Sequence, residues 1–396
     1  METAPLDGIR VLEVGNFMAA PFCAMQLADL GADIIKVEDP AGGDQVRHSA
    51  PFLEGESSNF VRLNRNKRSL ALDLKNGEGQ ELFRRLAAEA DVVVENLRPG
   101  AMKRLNLDYE VLAAVNPGLV YVAASGWGQD GPLAGLAGLD IMAQARSGLM
   151  SITGEAGGRP VKVGVPICDL VCALYGALAA VAALRERDRT GRGQLIDVSL
   201  YEAGVSLAVW EAGRYFGTGE TPGPLGSAHQ AGAPYQAIRA ADGWFTLGAT
   251  TARTWTALCH VLDVESLLAD PRFATSSSRH EAREELLPVL EAATRERPIA
   301  HWLEALARAG VPCSPIQDYA QVFADEALTA RGFLWDGVHP TLGSVRQLGS
   351  PMRFSATPTR RERAGPLLGE DSDAVLRELG YDDSAISGLR ARGVVG

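Results

Sequence analysis

The sequence predicts an α/β protein: a large Rossmann-like domain built on a parallel sheet, plus a smaller α+β domain. Three observations carry this expectation. Short runs rich in Val, Ile and Leu alternate with helical segments from Ile9 to Ser199, a pattern that makes βαβ units. Gly, Pro, Ser and Thr crowd together from Thr218 to Pro234, as in a linker. The 396 residues exceed the ~250–300 at which a single hydrophobic core stops growing.

Taken in order, Ile9–Val14 reads as a strand, Pro21–Leu30 as a helix stopped by Gly31, and Asp33–Val37 as a second strand. Leu70–Leu74, Val92–Val94 and Leu119–Ala123 read as further strands, separated by helices over Glu78–Ala90 and Tyr109–Val115. Val161–Val165 reads as a strand before an apolar helix starting at Leu170; after the turn Gly191-Arg192-Gly193 comes the strand Leu195–Ser199. Residues 1–217 are thus assigned to the large domain, 218–234 to a linker, 235–342 to the small domain and 343–396 to a tail returning to the large one. The small domain opens on a hairpin, Ala237–Arg239 and Trp244–Gly248 around Ala241-Asp242-Gly243, and then turns helical through Ala309.

Charge and motifs narrow the function. A formal charge of -11 repels nucleic acid and acidic membrane surfaces, so an anionic ligand needs local cations. The five cysteines lie in apolar contexts with no CxxC pair and read as reduced core residues. The opening segment Leu6–Leu12 has no signal-peptide pattern, and the longest apolar stretch, Leu170–Leu184, is shorter than the ~20 residues that span a bilayer. A cytoplasmic protein is expected. The first βα turn, Gly15-Asn16-Phe17-Met18-Ala19-Ala20-Pro21, lacks the glycines of a dinucleotide site, Gly77-Glu78-Gly79-Gln80 lacks the Lys-Ser/Thr of an ATP loop, and the six histidines show no metal-ligand spacing. No redox cofactor, ATP or metal is therefore expected.

Ligands of parallel sheets gather at the carboxyl ends of the strands. Asp169 stands between Val165-Pro166-Ile167-Cys168 and the apolar helix. It fits an ordinary helix cap; it also fits a nucleophile kept ionised by helix amides and the dipole, among apolar walls that exclude water.

Several segments taken together resemble the class III CoA-transferase family, also called CaiB/BaiF. They are Pro21-Phe22-Cys23 with Leu27–Ala32, Ile35-Lys36-Val37-Glu38, Asn66-Lys67-Arg68-Ser69, Leu72–Lys75, Val93–Asn96 with Pro99-Gly100, Thr190–Gln194, Pro234–Ala237 and Pro366–Glu370. The resemblance implies an interlocked homodimer and a catalytic aspartate at Asp169, with Asp140 orienting it. It implies a CoA site at Leu72, Lys75, Asn96, Leu97, Arg98 and Arg104. CoA would be substrate and product, and the partners would be an acyl-CoA and a small carboxylic acid. Ser125-Gly126-Trp127-Gly128 is the candidate region for oxyanion donors.

Met18 stands where the formyl-CoA:oxalate branch has glutamine, Asp39 where it has arginine, and no run of four glycines follows the linker. These departures point away from oxalate and formate. Two alternatives sit on the same fold: an α-methylacyl-CoA racemase, whose Gly-His-Asp step here reads Gly138-Leu139-Asp140, and a CoA-ester-binding protein without catalysis.

Overall fold

The computed structural model describes residues 3–396. Two compact units divide the chain: one comprises Met1–Leu149, Lys162–Gly213 and Ala327–Gly396, the other Met150–Val161 and Arg214–Glu326. The return to the large unit thus begins at Ala327 rather than at 343, and the stretch assigned as linker lies wholly inside the small unit.

In the large unit the strands are β1 (Arg10–Val14), β2 (Asp33–Glu38), β3 (Lys67–Ala71), β4 (Val92–Glu95), β5 (Val120–Ser125) and β6 (Leu195–Ser199). The helices that matter for the site are α1 (Ala19–Asp29), α2 (Ser58–Leu63), α3 (Gly77–Glu89), α4 (Tyr109–Val115), α5 (Asp140–Arg146), α6 (Ile167–Thr190) and α7 (Leu200–Ser206). All six strands run parallel in the order β3-β2-β1-β4-β5-β6, the doubly wound arrangement. One face of the sheet packs on α3, α4 and the C-terminal helices Ser372–Glu378 and Asp383–Ala391, around Phe83, Leu86, Leu112 and Val375. The other packs on α1 and α6, around Leu27, Val94, Val122 and Ala177. Burial on both faces explains the continuous Val/Ile runs.

Two strand expectations are corrected. β3 is Lys67–Ala71, not Leu70–Leu74. Lys67 hides the strand from a hydrophobicity reading, yet its ammonium is fully buried against Glu13 Oε2 at 2.7 Å. Leu72–Lys75 leaves the sheet in a turn where Asp73 accepts from Lys75 N. Val161–Val165 is not a strand but a loop, held by Val163 N donating to Gln144 Oε1 at 2.9 Å.

Helix α6 begins at Ile167 and runs 24 residues, ending where Gly191 takes the left-handed conformation (φ 71°). It is therefore long and apolar enough to cross a membrane by length and composition. In this fold its Ala173, Ala177 and Ala180 pack against the sheet and α1, while Leu174 and Leu178 are exposed.

The small unit carries a three-stranded antiparallel sheet, with Trp244–Gly248 between Tyr235–Arg239 and Cys313–Pro315. Its helices Ala252–Val261, Arg283–Thr294 and Ile299–Arg308 close a core around Phe245, Trp255 and Leu290.

Candidate active site

Successive strands are added on opposite sides of β1, so the crevice between the carboxyl ends of β1 and β4 is the topological switch point, where such folds bind ligands. Gly15 and Asn16 follow β1, and Asn96 follows β4. Asn96 Oδ1 accepts from Asn16 N at 3.0 Å and its Nδ2 donates to Asn16 O at 2.8 Å. A Cβ at Gly15 would stand 2.5 Å from Asn96 Oδ1, so this clamp requires glycine there.

A buried charge chain holds the same turn from beneath. Glu13 and Lys36 are register partners on β1 and β2, bonded at 2.6 Å. Lys36 Nζ also meets Asp44 Oδ2 at 2.8 Å and Gly15 O at 3.1 Å. Asp44 Oδ1 in turn accepts from Phe17 N at 3.2 Å, and Phe17 has φ 62°, an unusual conformation for a non-glycine residue. Burial alone would push the Glu13 carboxyl up, but the Lys36 and Lys67 ammoniums hold it below the usual range. Burial draws the Lys67 ammonium down to about 8 against the pull of Glu13. Glu13, Lys36 and Lys67 lie in segments noted in the sequence, whereas Asp44, which ties them to the turn, does not.

Asp169 is the third residue of α6 and is not its cap. The amides at that helix start are taken up by Asp140, the first residue of α5: its Oδ1 accepts from Cys168 N at 2.9 Å and Asp169 N at 3.4 Å. Asp140 Oδ2 accepts from Gln144 Nε2 at 2.6 Å, and Gln144 is fully buried. With those amides engaged, no donor among the described residues reaches the Asp169 carboxylate. Burial first, and the Asp140 charge second, push its pKa up to about 7. The expectation that helix amides keep it ionised is corrected: Asp140 takes those amides, and burial favours the protonated form. Gln144, which locks Asp140, carried no signal in the sequence.

Asp169, Asp140, Asn16, Met18 and Asn96 line one cavity of about 1200 Å³. Gly126 and Gly138 present bare backbone to it, and a Cβ at Gly126 would come within 3.0 Å of Gly138 Cα. Leu139 lines it too, and among the described residues no histidine does.

The chain matches the model of CoA-transferase family III over residues 6–372. It belongs to that family. It is 36% identical over 393 residues to the succinyl-CoA:glutarate CoA-transferase of Mus musculus, covering 99% of this chain and 90% of that one. It is 38% identical over 382 residues to the succinate–glutarate CoA-transferase of Agrobacterium fabrum, covering 95% and 96%. Among solved structures, a CAIB/BAIF family protein from Brucella suis superposes with a TM-score of 0.85 at 39% identity, covering 96% of this chain and 100% of that one. The chain is thus a CoA-transferase that moves CoA from an acyl-CoA to a carboxylic acid.

The residues expected to hold CoA are spread over the strand ends of this family III transferase. Asn96 lines the cavity. Leu97 N donates to Glu95 Oε2 at 2.7 Å, and burial, with Asp197 adding, pushes the Glu95 carboxyl up to about 8. Leu72 is buried in the core, and its backbone bridges to Val395. Lys75 lies outside the cavity lining, exposed, with its ammonium on Asp39 Oδ2 at 2.9 Å. Arg98 and Arg104 are exposed and have no carboxylate partner among the described residues. No group of three or more His, Cys, Asp or Glu able to hold a metal occurs among the described residues.

Proposed function

We propose that this CoA-transferase exchanges CoA between short dicarboxylic acids, with Asp169 as its covalent nucleophile. The observation that carries the reading is a half-buried aspartate, free of protein donors, facing a large cavity at the sheet's switch point. The glutarate and succinyl substrates in the relatives' names support the diacid class.

In the first step the Asp169 carboxylate attacks the thioester carbonyl, the C–S bond breaks, and CoA leaves as thiolate from a mixed anhydride. The thiolate attacks the Asp169 carbonyl, forming an aspartyl-CoA thioester and releasing the first acid as carboxylate. A second carboxylate then attacks that thioester, and the same steps in reverse return Asp169 as carboxylate with a new acyl-CoA. One thioester replaces another, so no ATP and no net proton are needed. Backbone N–H groups at Gly126 and Gly138 are the proposed donors to the oxyanions, and the engaged Asp140 holds the helix start that carries the nucleophile. CoA phosphates are assigned to Arg98 and Arg104. Leu139 can neither give nor take a proton, and the cavity lining lacks histidine, which favours transfer over racemisation.

We infer a cytoplasmic homodimer, supported by five free thiols and by exposed apolar residues of α6 and the following segment, Leu178, Val209 and Trp210. Light scattering at the monomer mass would contradict the dimer. The catalytic reading is tested by mixing the protein with a panel of acyl-CoAs and acids and following new acyl-CoAs by mass spectrometry. Transfer from succinyl-CoA to a diacid is expected; transfer only to monocarboxylic acids, or none, would sink it.

A further inference from the structure

Three cationic side chains line the cavity, at Arg62, Arg65 and Lys162. Arg65 is already committed, its Nε and Nη2 both bonded to Asp29. Lys162 is exposed and donates to Val163 O at 3.2 Å. Arg62 differs from both. It is half-buried on α2, and only its Nη1 is engaged, with Ser58 O at 2.8 Å and Ser58 Oγ at 2.6 Å, one helical turn earlier. No carboxylate among the described residues pairs with it, and burial draws its pKa below the usual guanidinium value with no acid offsetting the shift.

The Nε–Nη2 edge of a guanidinium is the fork that takes a carboxylate in two parallel hydrogen bonds. In Arg62 that edge is the one left without a protein acceptor among the described residues, while the Ser58 bonds to Nη1 fix the plane of the group. The surrounding wall is apolar: Phe22, Met25, Leu63, Phe333 and Leu348 line the same cavity. An anion entering it gains little from these neighbours and much from one poorly hydrated cation.

We propose that Arg62 receives the far carboxylate of the acid whose near carboxylate meets Asp169, and so makes the enzyme select diacids. The inference rests on the diacid-transferase reading above. Asp169 and Arg62 line the same cavity, so one short diacid can meet the nucleophile with one carboxylate and the guanidinium with the other. A monocarboxylic acid of the same length would place a methyl group against the Nε–Nη2 edge, leaving that edge without an acceptor.

The test compares kcat/KM for glutarate with that for valerate, using one acyl-CoA donor at saturation, in wild type, Arg62→Met and Arg62→Lys. Loss of a charge-assisted pair predicts that Arg62→Met lowers the glutarate-to-valerate preference by ~10–100-fold, with Arg62→Lys between the two. CoA binding, followed by calorimetry, stays as in the wild type. An unchanged preference in both variants overturns the proposal, as does a loss that falls equally on both acids or on CoA affinity, since either assigns Arg62 to α2 packing or to the CoA phosphates. A wild type that transfers CoA to valerate but to no diacid overturns the diacid reading itself, and this outcome is recognised before any variant is made.

Discussion

At the scale of single residues, the chemistry turns on one proton. Burial and Asp140 hold the Asp169 proton up to about 7, whereas a solvated aspartate releases it near ~3.9. The attacking species is the carboxylate, so kcat/KM should be low at pH 6, rise through about 7 and level off above it. Asp140→Asn removes the second cause of the shift while leaving an oxygen for the Cys168 amide, so it should move the midpoint of the pH profile to lower pH. An unmoved midpoint would show that Asp140 does not act on Asp169 through its charge. The raised pKa also couples stability to pH: the native state binds the extra proton between those two values, so the stability present in full below the unfolded pKa is lost as pH rises through about 7. Asp169 was legible in the sequence as a residue but not as an environment. Whether amides reach its carboxylate depends on Asp140, 29 residues away, which takes those amides first.

At the scale of elements, β1, β2 and β3 combine strand pairing with buried charge. Lys36 is fully buried between Glu13 and Asp44. Lys36→Met leaves Asp44 without a cation and Glu13 with Lys67 alone, and the expected loss in unfolding free energy is ~3–5 kcal/mol, read by urea denaturation; a variant as stable as wild type would show that the chain of charges is not needed to hold the turn. This network is also why β3 was misplaced from sequence alone. Lysine and arginine open the strand, and only the pairing across the sheet reveals that Lys67 points into a core. The strand ends raise a second expectation. Arg104 has no acid beside it, whereas Lys75 shares its charge with Asp39. Arg104→Ala should raise the acyl-CoA KM by ~10-fold with a smaller change in kcat, and Lys75→Ala should raise it less. If Lys75→Ala has the larger effect, Asp39 does not weaken that cation.

At the scale of the whole molecule, the alternation of strands and helices gave the parallel sheet, because segments buried on both faces leave a continuous apolar signature. The strand order did not follow from that signature; it came from the pairing of β1 with both β2 and β4. The division into units was harder still. Residues 150–161 and 214–326 fold together although about fifty residues of the large unit lie between them, and no local composition marks such a crossing. The cavity inherits this: Asn16, Asn96, Asp140 and Asp169 come from four separate strand or helix ends and meet only at the switch point. What the arrangement is proposed to do is pass CoA through Asp169. The most direct test is to mix the protein with succinyl-CoA without acceptor, quench with hydroxylamine and map the modified residue by peptide mass spectrometry. The account predicts a hydroxamate on Asp169 and none in Asp169→Asn; a hydroxamate on another residue, or full CoA transfer by Asp169→Asn with none anywhere, would contradict it.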